Sequence, residues 1–392
     1  MIRGLSILCA ALLLSTSARA TDLSHPGPLA VAETQVAVVR PDLSLFPALL
    51  FYPAGPDRIG APYPAICFAH GYLTAPERYA PTLRHLASWG YIVIAPRSGL
   101  DLFPDHDLYA EDVSHALKFL EDANADPASL LRGLVDTNRF GLSGHSMGGG
   151  ADLLSAAMDD RIRAVAALAP AETWPSAIAD MYLIEAPVFL IAGTDDAFAP
   201  ILRHQLPMYE NANAPRALAA IKGGSHCGFM DDPPPDAVCD TASVPSHTQL
   251  AITRRLLTAF FNHHLKGDQS AWTWIWGPAL QYDRRLISVA DPGIEMQPPA
   301  QSADAEPGQD AVFNVQVKNT GRDPDAYTLM AEGHTTGLAI TPPVTPVLNP
   351  GESVTVQVRL AAPTRMREGI TILSARSGND GATRQFMVLQ TR

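Results

Sequence analysis

The stretch Gly141-Leu142-Ser143-Gly144-His145-Ser146-Met147-Gly148-Gly149-Gly150 decides how the chain is read. It contains Gly144-x-Ser146-x-Gly148, the spacing of a nucleophile elbow, where a tight turn between a strand and a helix lifts one serine over the end of a sheet. Side chains at the two flanking positions would strike the neighbouring strand and helix, so glycine is required there. The surroundings agree: residues 138–142 suit a short strand, and residues 151–158 are small, apolar and helix-favouring. In a chain with 28 glycines the pentapeptide alone is a weak signal. The rest of the sequence must supply a base, an acid and donors for an oxyanion, in a workable order.

Working outward, residues 65–69 and 91–95 are continuous apolar runs, the mark of strands buried on both faces. Residues 34–39 and 45–52 precede them as two further strands, and residues 163–168, 187–192 and 218–221 follow the elbow as three more. Between them, residues 79–89, 107–123 and 249–265 carry helical periodicity. Apolar strands alternating with helices predict an α/β fold whose mostly parallel sheet is covered on both faces. The pattern changes near residue 290. Residues 291–309, rich in Pro, Ala, Ser and Gln, read as a linker between a catalytic domain over 21–290 and a small β-sandwich over 310–392. In the sandwich, runs such as Val312-Phe313-Asn314-Val315-Gln316-Val317 alternate with period two.

Of 392 residues, 47% are hydrophobic and 17% charged, which suits a well-cored globular chain. The formal charge of −12 argues against nucleic acid or an anionic membrane surface as partner. Residues 1–20 read as a secretory signal: Arg3, an apolar core over 5–14, and the cleavage site Ala18-Arg19-Ala20. The apolar core is too short for the ~20 residues that span a bilayer, and no later segment is long enough. The expectation is a protein that is secreted or periplasmic after cleavage near Ala20. Cys67, Cys227 and Cys239 then remain, and in an oxidising compartment Cys227 and Cys239 make the natural pair, closing a loop that holds Pro233-Pro234-Pro235. The alternative is three free thiols. No zinc-type Cys/His cluster is present, and Asp105-His106-Asp107 reads as a solvated loop, so no metal is expected.

Functional groups of an open parallel sheet gather beyond the carboxyl ends of its strands. Four such ends carry reactive residues: His70-Gly71-Tyr72, Ser146, Asp195-Asp196 and His226. A neutral serine hydroxyl needs a base, which His226 supplies before returning the proton to the leaving group. A carboxylate, Asp195 or Asp196, must hold the imidazole in the right tautomer. The oxyanion needs two backbone N–H donors, assigned to Tyr72 and Met147. His70 is expected to orient its loop and His145 to pack away from the nucleophile. His263-His264 are expected to meet the last carbonyls of their helix. Trp272-Thr273-Trp274-Ile275-Trp276 alternates like a strand or covers the domain's flank, with a sugar platform as the alternative.

With these pieces, the chain resembles the polyester hydrolase (PET hydrolase) and cutinase-like branch of the α/β-hydrolases, with dienelactone-hydrolase-like enzymes as more distant relatives. The matching segments are His70-Gly71-Tyr72, residues 86–94, Gly144–Gly150, Asp196-Ala197-Phe198-Ala199-Pro200 and Gly223-Gly224-Ser225-His226. The resemblance implies an α/β-hydrolase fold, ester hydrolysis without a cofactor, and Asp196 as the acid, because the family's acid precedes a small-apolar-Ala-Pro run. It further implies that Tyr72 and an aromatic residue, here Trp174, contact substrate. The chain departs in the spacing around Trp174, in the bridge beside the histidine and in the longer loop over 228–246. The C-terminal part resembles bacterial Ig-like modules that contact a polymer or cell surface. The implied activity is cleavage of acyl esters or polyesters through an acyl-enzyme; the alternatives are a lipase or phospholipid-acetyl-hydrolase-like esterase, and, from another class, a non-catalytic polymer- or polysaccharide-binding surface protein.

Overall fold

The apolar runs assemble into one nine-stranded sheet in the order β1-β2-β4-β3-β5-β6-β7-β8-β9. The computed structural model describes residues 22–55, 60–235, 238–298, 300–303, 309–332, 338–361, 369–379, 381 and 384–391. The expected signal segment and its cleavage site lie outside the described residues. At one edge, β1 (Ala30–Val39) and β2 (Leu45–Ala54) form an antiparallel hairpin, and β2 pairs antiparallel with β4. The six central strands run parallel: β3 (Tyr63–Ala69), β4 (Ile92–Pro96), β5 (Val135–His145), β6 (Ile162–Leu168), β7 (Val188–Gly193) and β8 (Arg216–Ile221). The far edge is β9 (Leu286–Asp291), antiparallel to β8 and absent from the sequence reading. Its side chains are largely half-exposed, as suits an edge strand, so no buried apolar run announces it.

The central strands other than β5 feed two cores, because successive side chains leave opposite faces of a sheet. Ala65, Cys67 and Ala69 join one core, with Tyr109, Val113 and Leu117 of α2 (His106–Ala125) and Ala151 and Leu154 of α3 (Met147–Met158). Ile66 and Phe68 join the other, with Leu83 and Leu86 of α1 (Ala80–Ser88) and Leu256, Phe260 and Phe261 of the long helix over Ser246–Lys266. This is the helix-covered, mostly parallel sheet that the α/β-hydrolase resemblance implies. Asp105 caps α2 by accepting from the Leu108 N–H at 3.2 Å, the job of a helix-start aspartate. Trp276 is fully buried, and Trp272 and Trp274 pack against the same core, so the tryptophan run covers the sheet's flank and forms neither a strand nor an open platform. His264 is half-buried against Phe260 and Trp276, and desolvation of its ring pushes its pKa well down, while His263 Nδ1 meets Asp268 O at 3.2 Å.

The stretch read as a linker carries two strands, β10 (Ile294–Gln297) and β11 (Ala300–Ala303). Ile294 and Met296 point into a third core, which is what recruits a Pro- and Ser-rich segment into a sheet. With β12 (Asp310–Asn319), β13 (Tyr327–Glu332), β14 (Leu338–Thr341), β15 (Ser353–Ala361), β16 (Gly369–Ser377) and β17 (Arg384–Thr391) they build two four-stranded sheets, β10-β12-β15-β14 and β11-β17-β16-β13. Phe313, Val315, Val317, Val356 and Val358 of one sheet share a core with Leu373, Ala375, Met387 and Leu389 of the other, a β-sandwich. Pairing is antiparallel except between β11 and β17, which run parallel. Only Pro292 and Gly293 separate β9 from β10, and the Thr320 N–H donates to Gly293 O at 3.1 Å across that junction.

Candidate active site

At the end of β5 the chain turns at Ser146, with φ 58° and ψ −123°, and α3 begins at Met147. A non-glycine residue held at such a φ stores about 1–3 kcal/mol of strain and persists only where its surroundings enforce it. Here the Ser146 N–H donates to Leu168 O at 2.9 Å, and the Ala171 N–H donates to Ser146 O at 2.9 Å. The glycines have their expected cause. A Cβ on Gly148 would lie 2.2 Å from Ala69 O, and one on Gly144 would lie 2.4 Å from Asp152 Oδ2 and 2.7 Å from Ala69 O.

His226, in the loop after β8, places Nε2 2.8 Å from Ser146 Oγ and Nδ1 2.8 Å from Asp196 Oδ2. An ionised carboxylate can only accept, so Nδ1 carries the proton and Nε2 is left to accept from the serine hydroxyl. The second Asp196 oxygen accepts from the Phe198 and Ala199 N–H groups at 2.9 and 2.7 Å, which fixes the carboxylate plane. Asp195 faces elsewhere: it accepts from the Ser243 and Thr194 hydroxyls, at 2.5 and 3.0 Å, and these hold its carboxyl below the usual range. Of the two aspartates, Asp196 is the one in contact with His226.

The His70-Gly71-Tyr72 loop lies against the serine, since a Cβ on Gly71 would be 3.4 Å from Ser146 Cβ. His70 is buried and bridges to Ser98 O and Gly71 O at 2.8 and 2.9 Å, the loop-orienting contact expected of it. Met147 opens α3, where the first backbone N–H groups have no partner within the helix. His145 packs, as expected: its buried ring lies 4.5 Å, centroid to centroid, from that of His226, and the Tyr79 hydroxyl meets its Nδ1 at 2.8 Å. Burial above all, and His226 beside it, hold the His145 pKa well below its ordinary value, so its ring is neutral.

A cleft of about 490 Å³ opens over Ser146, lined by Tyr72, Leu73, Arg78, Phe198, Met230 and Val238 among others. Phe198 stands 5.4 Å from the His226 ring and is 56% exposed, an apolar wall that sequence reasoning quoted only as part of a motif. Tyr72 lines the cleft, but its hydroxyl is engaged, donating to Leu102 O at 2.7 Å. Trp174 is not among the lining residues. Its indole is 86% exposed, and its backbone N–H donates to His106 Nδ1 at 3.1 Å. The Cys227–Cys239 disulfide is formed, and Cys67 is a buried free thiol. One residue beside the disulfide carried no sequence signal. Asp240 accepts from the backbone N–H of His226 at 2.7 Å, of Cys227 at 3.1 Å and of Ala197 at 3.2 Å. Among the described residues no group of three or more His, Cys, Asp or Glu side chains is placed to hold a metal ion. No helix among them is long and apolar enough to cross a membrane.

An array of hydroxyl, imidazole and carboxylate in this geometry can transfer a proton from serine while a carbonyl is attacked. Comparison with known proteins agrees with that chemistry. Residues 18–233, more than half of the chain and inclusive of Ser146, Asp196 and His226, match the family described as PET hydrolase-like. Cutinase 2 of Thermobifida cellulosilytica is 26% identical over 208 residues, covering 52% of this chain and 73% of that protein. Cutinase cut1 of Thermobifida fusca is also 26% identical over 208 residues, but the chain spans only 60% of its length. Lipase 1 of a Moraxella species (strain TA144) is 29% identical over 162 residues, which are 41% of this chain and 47% of that one.

Proposed function

The chain belongs to the PET hydrolase-like family, and from that premise we propose that it is a carboxylic ester hydrolase of the cutinase-like kind, exported from the cell and working through Ser146, His226 and Asp196. The observation that carries this reading is the continuous hydrogen-bonded array from Ser146 Oγ through the His226 ring to Asp196, seated on a strained elbow. His226 Nε2 takes the serine proton as Oγ attacks the ester carbonyl. The negative charge that develops on the carbonyl oxygen is met by the Met147 and Tyr72 N–H groups. Asp196 stabilises the imidazolium, which then protonates the departing alcohol. Water, activated by the same imidazole, attacks the acyl-enzyme and releases the acid. Export rests on the N-terminal sequence and agrees with the disulfide, a bond at home in oxidising compartments.

The cleft supports acyl and aryl esters as substrates, since Leu73, Phe198, Met230 and Val238 offer apolar walls and, among the described residues, Arg78 is the single Lys, Arg, Asp or Glu in its lining. Polyesters and cutin are the polymer forms of such esters, and the likeness to proteins named cutinases supports that reading. A lipase-like reading draws on the Moraxella relative. The β-sandwich is assigned to contact with the polymer or cell surface.

A fluorophosphonate probe tests the nucleophile. Wild-type protein should label at Ser146 and Ser146→Ala should not; labelling that survives the substitution would overturn the assignment. Hydrolysis rates on p-nitrophenyl esters from acetate to palmitate, beside a polyester film, then separate the readings. A steep rise with chain length would favour a lipase.

A further inference from the structure

Asp240 takes no part in the proton transfers above, yet its carboxylate touches both loops that hold the proton-transfer array. One oxygen accepts from the His226 N–H at 2.7 Å and from the Ala197 N–H at 3.2 Å; the other accepts from the Cys227 N–H at 3.1 Å. Ala197 directly follows Asp196, so one side chain pins the histidine loop after β8 to the acid loop after β7. Its own position is fixed covalently. Cys239, immediately before Asp240, is bonded to Cys227, immediately after His226. Backbone, disulfide and carboxylate thus close a small ring around the base.

We propose that Asp240 is a positioning residue for ester hydrolysis, setting the distance between His226 and Asp196, and that the Cys227–Cys239 disulfide serves the reaction by holding Asp240 in place. The inference rests on the assignment of His226 and Asp196 as base and acid. Hydrogen bonds from backbone N–H to an ionised carboxylate are about twice as strong as neutral ones, and three converge here. Without them the His226 peptide is free to swing, and Nε2 and Nδ1 must each stay near 2.8 Å from their partners for the proton to pass. A misplacement of about 1 Å in a reacting group costs about 100-fold. The disulfide loop thereby gains a role beyond closing a loop of the chain.

The test compares Asp240→Ala, Asp240→Asn, Cys239→Ala and the double variant Cys239→Ala/Asp240→Ala on p-nitrophenyl butyrate, with rates normalised to the fraction of enzyme titrated by a fluorophosphonate. Asp240→Ala should lower kcat about 10- to 100-fold with KM within about twofold. Asp240→Asn should recover part of that loss, because its amide oxygen still accepts from the His226 N–H while its NH2 faces the Cys227 N–H. The double variant should lose no more than Asp240→Ala alone, since the disulfide acts through Asp240. A wild-type kcat per active site in Asp240→Ala, with only Tm lowered, would overturn the proposal, as would additive losses in the double variant. Should Asp240→Ala fail to fold, Asp240→Asn decides: a kcat loss at unchanged KM supports the proposal and a wild-type kcat overturns it. Failure of the underlying assignment reads differently, as wild-type protein that the probe does not label at Ser146.

Discussion

In β3 every residue from Tyr63 to Ala69 is buried, whereas in β12 burial alternates almost residue by residue. A strand covered on both faces has nowhere to present a polar side chain except at its end. The nine-stranded sheet accordingly collects its reactive groups beyond the ends of β3, β5, β7 and β8. The sandwich has one covered face per sheet and spreads its polar residues over the other. The two regions also differ in strain. Four non-glycine residues with positive φ occur among the described residues: Leu43, Leu73, Ser146 and Ala169. Three of these follow β3, β5 and β6 at the cleft end, and none lies in the sandwich. Buried carboxylates tell the same story. In the sandwich, Asp325 accepts from the Ala326, Gly378 and Asn379 N–H groups and from the Ser377 hydroxyl. In α3, Asp152 is wholly buried and neither oxygen has a partner. Order in the catalytic region is bought with local misfit that the surrounding packing enforces.

The largest expected effect lies at the elbow. Ser146→Ala should cut kcat on a soluble ester about a millionfold while leaving Tm unchanged or raised; a residual rate within tenfold of wild type would break the contrast at its root. Next come the glycines. Gly148→Ala drives a Cβ into Ala69 O and should destabilise by about 1–3 kcal/mol in urea unfolding, with loss of activity. Gly351, in a sandwich turn with φ 80° and open space around it, should cost only about 1 kcal/mol as Ala, with activity intact. Equal costs at the two positions would mean that packing at the elbow is looser than its contacts indicate.

A third effect is read against pH. Burial raises the Asp152 pKa well above its ordinary 3.8, so the folded state holds a proton that the unfolded chain gives up. The sign follows from linkage: this contribution is full below about pH 4 and is lost as pH rises toward the folded pKa. Tm measured from pH 4 to pH 8 should therefore fall less in Asp152→Asn than in wild type, and parallel curves would remove Asp152 from the account. The smallest effect is expected from the sandwich. Ending the chain after Asp291 keeps β9 and should leave kcat/KM on p-nitrophenyl butyrate within about twofold, with any loss confined to a polyester film. A matching loss on both substrates would show that the sandwich supports the catalytic fold.

Much of this was legible in the sequence because the signals were local. GxSxG, the apolar runs and the order of Ser146, Asp196 and His226 each announce themselves within a few residues. What escaped depends on contacts between distant segments. β9 lacks a buried run, and β10 hides in a Pro-rich stretch whose Ile294 and Met296 become strand residues only against β12. Asp240 bonds to main-chain N–H groups, which no pattern of side chains reports. Phe198 joins the lining of the cleft through the loop after β7, which the motif Asp196–Pro200 did not reveal, and the Trp174 indole that the resemblance pointed to stands 86% exposed. His145 lies against the His226 ring and meets the hydroxyl of Tyr79, 66 residues away in sequence, contacts that no local pattern reports.

The junction between β9 and β10 has a consequence for motion. Asp291 accepts from the Thr320 hydroxyl at 2.7 Å, Gly293 O accepts from the Tyr327 hydroxyl at 3.1 Å, and only Pro292 and Gly293 lie between the strands. So short and so bonded a joint is a splice between the edge strand of one sheet and the first strand of the next, with no free tether between them.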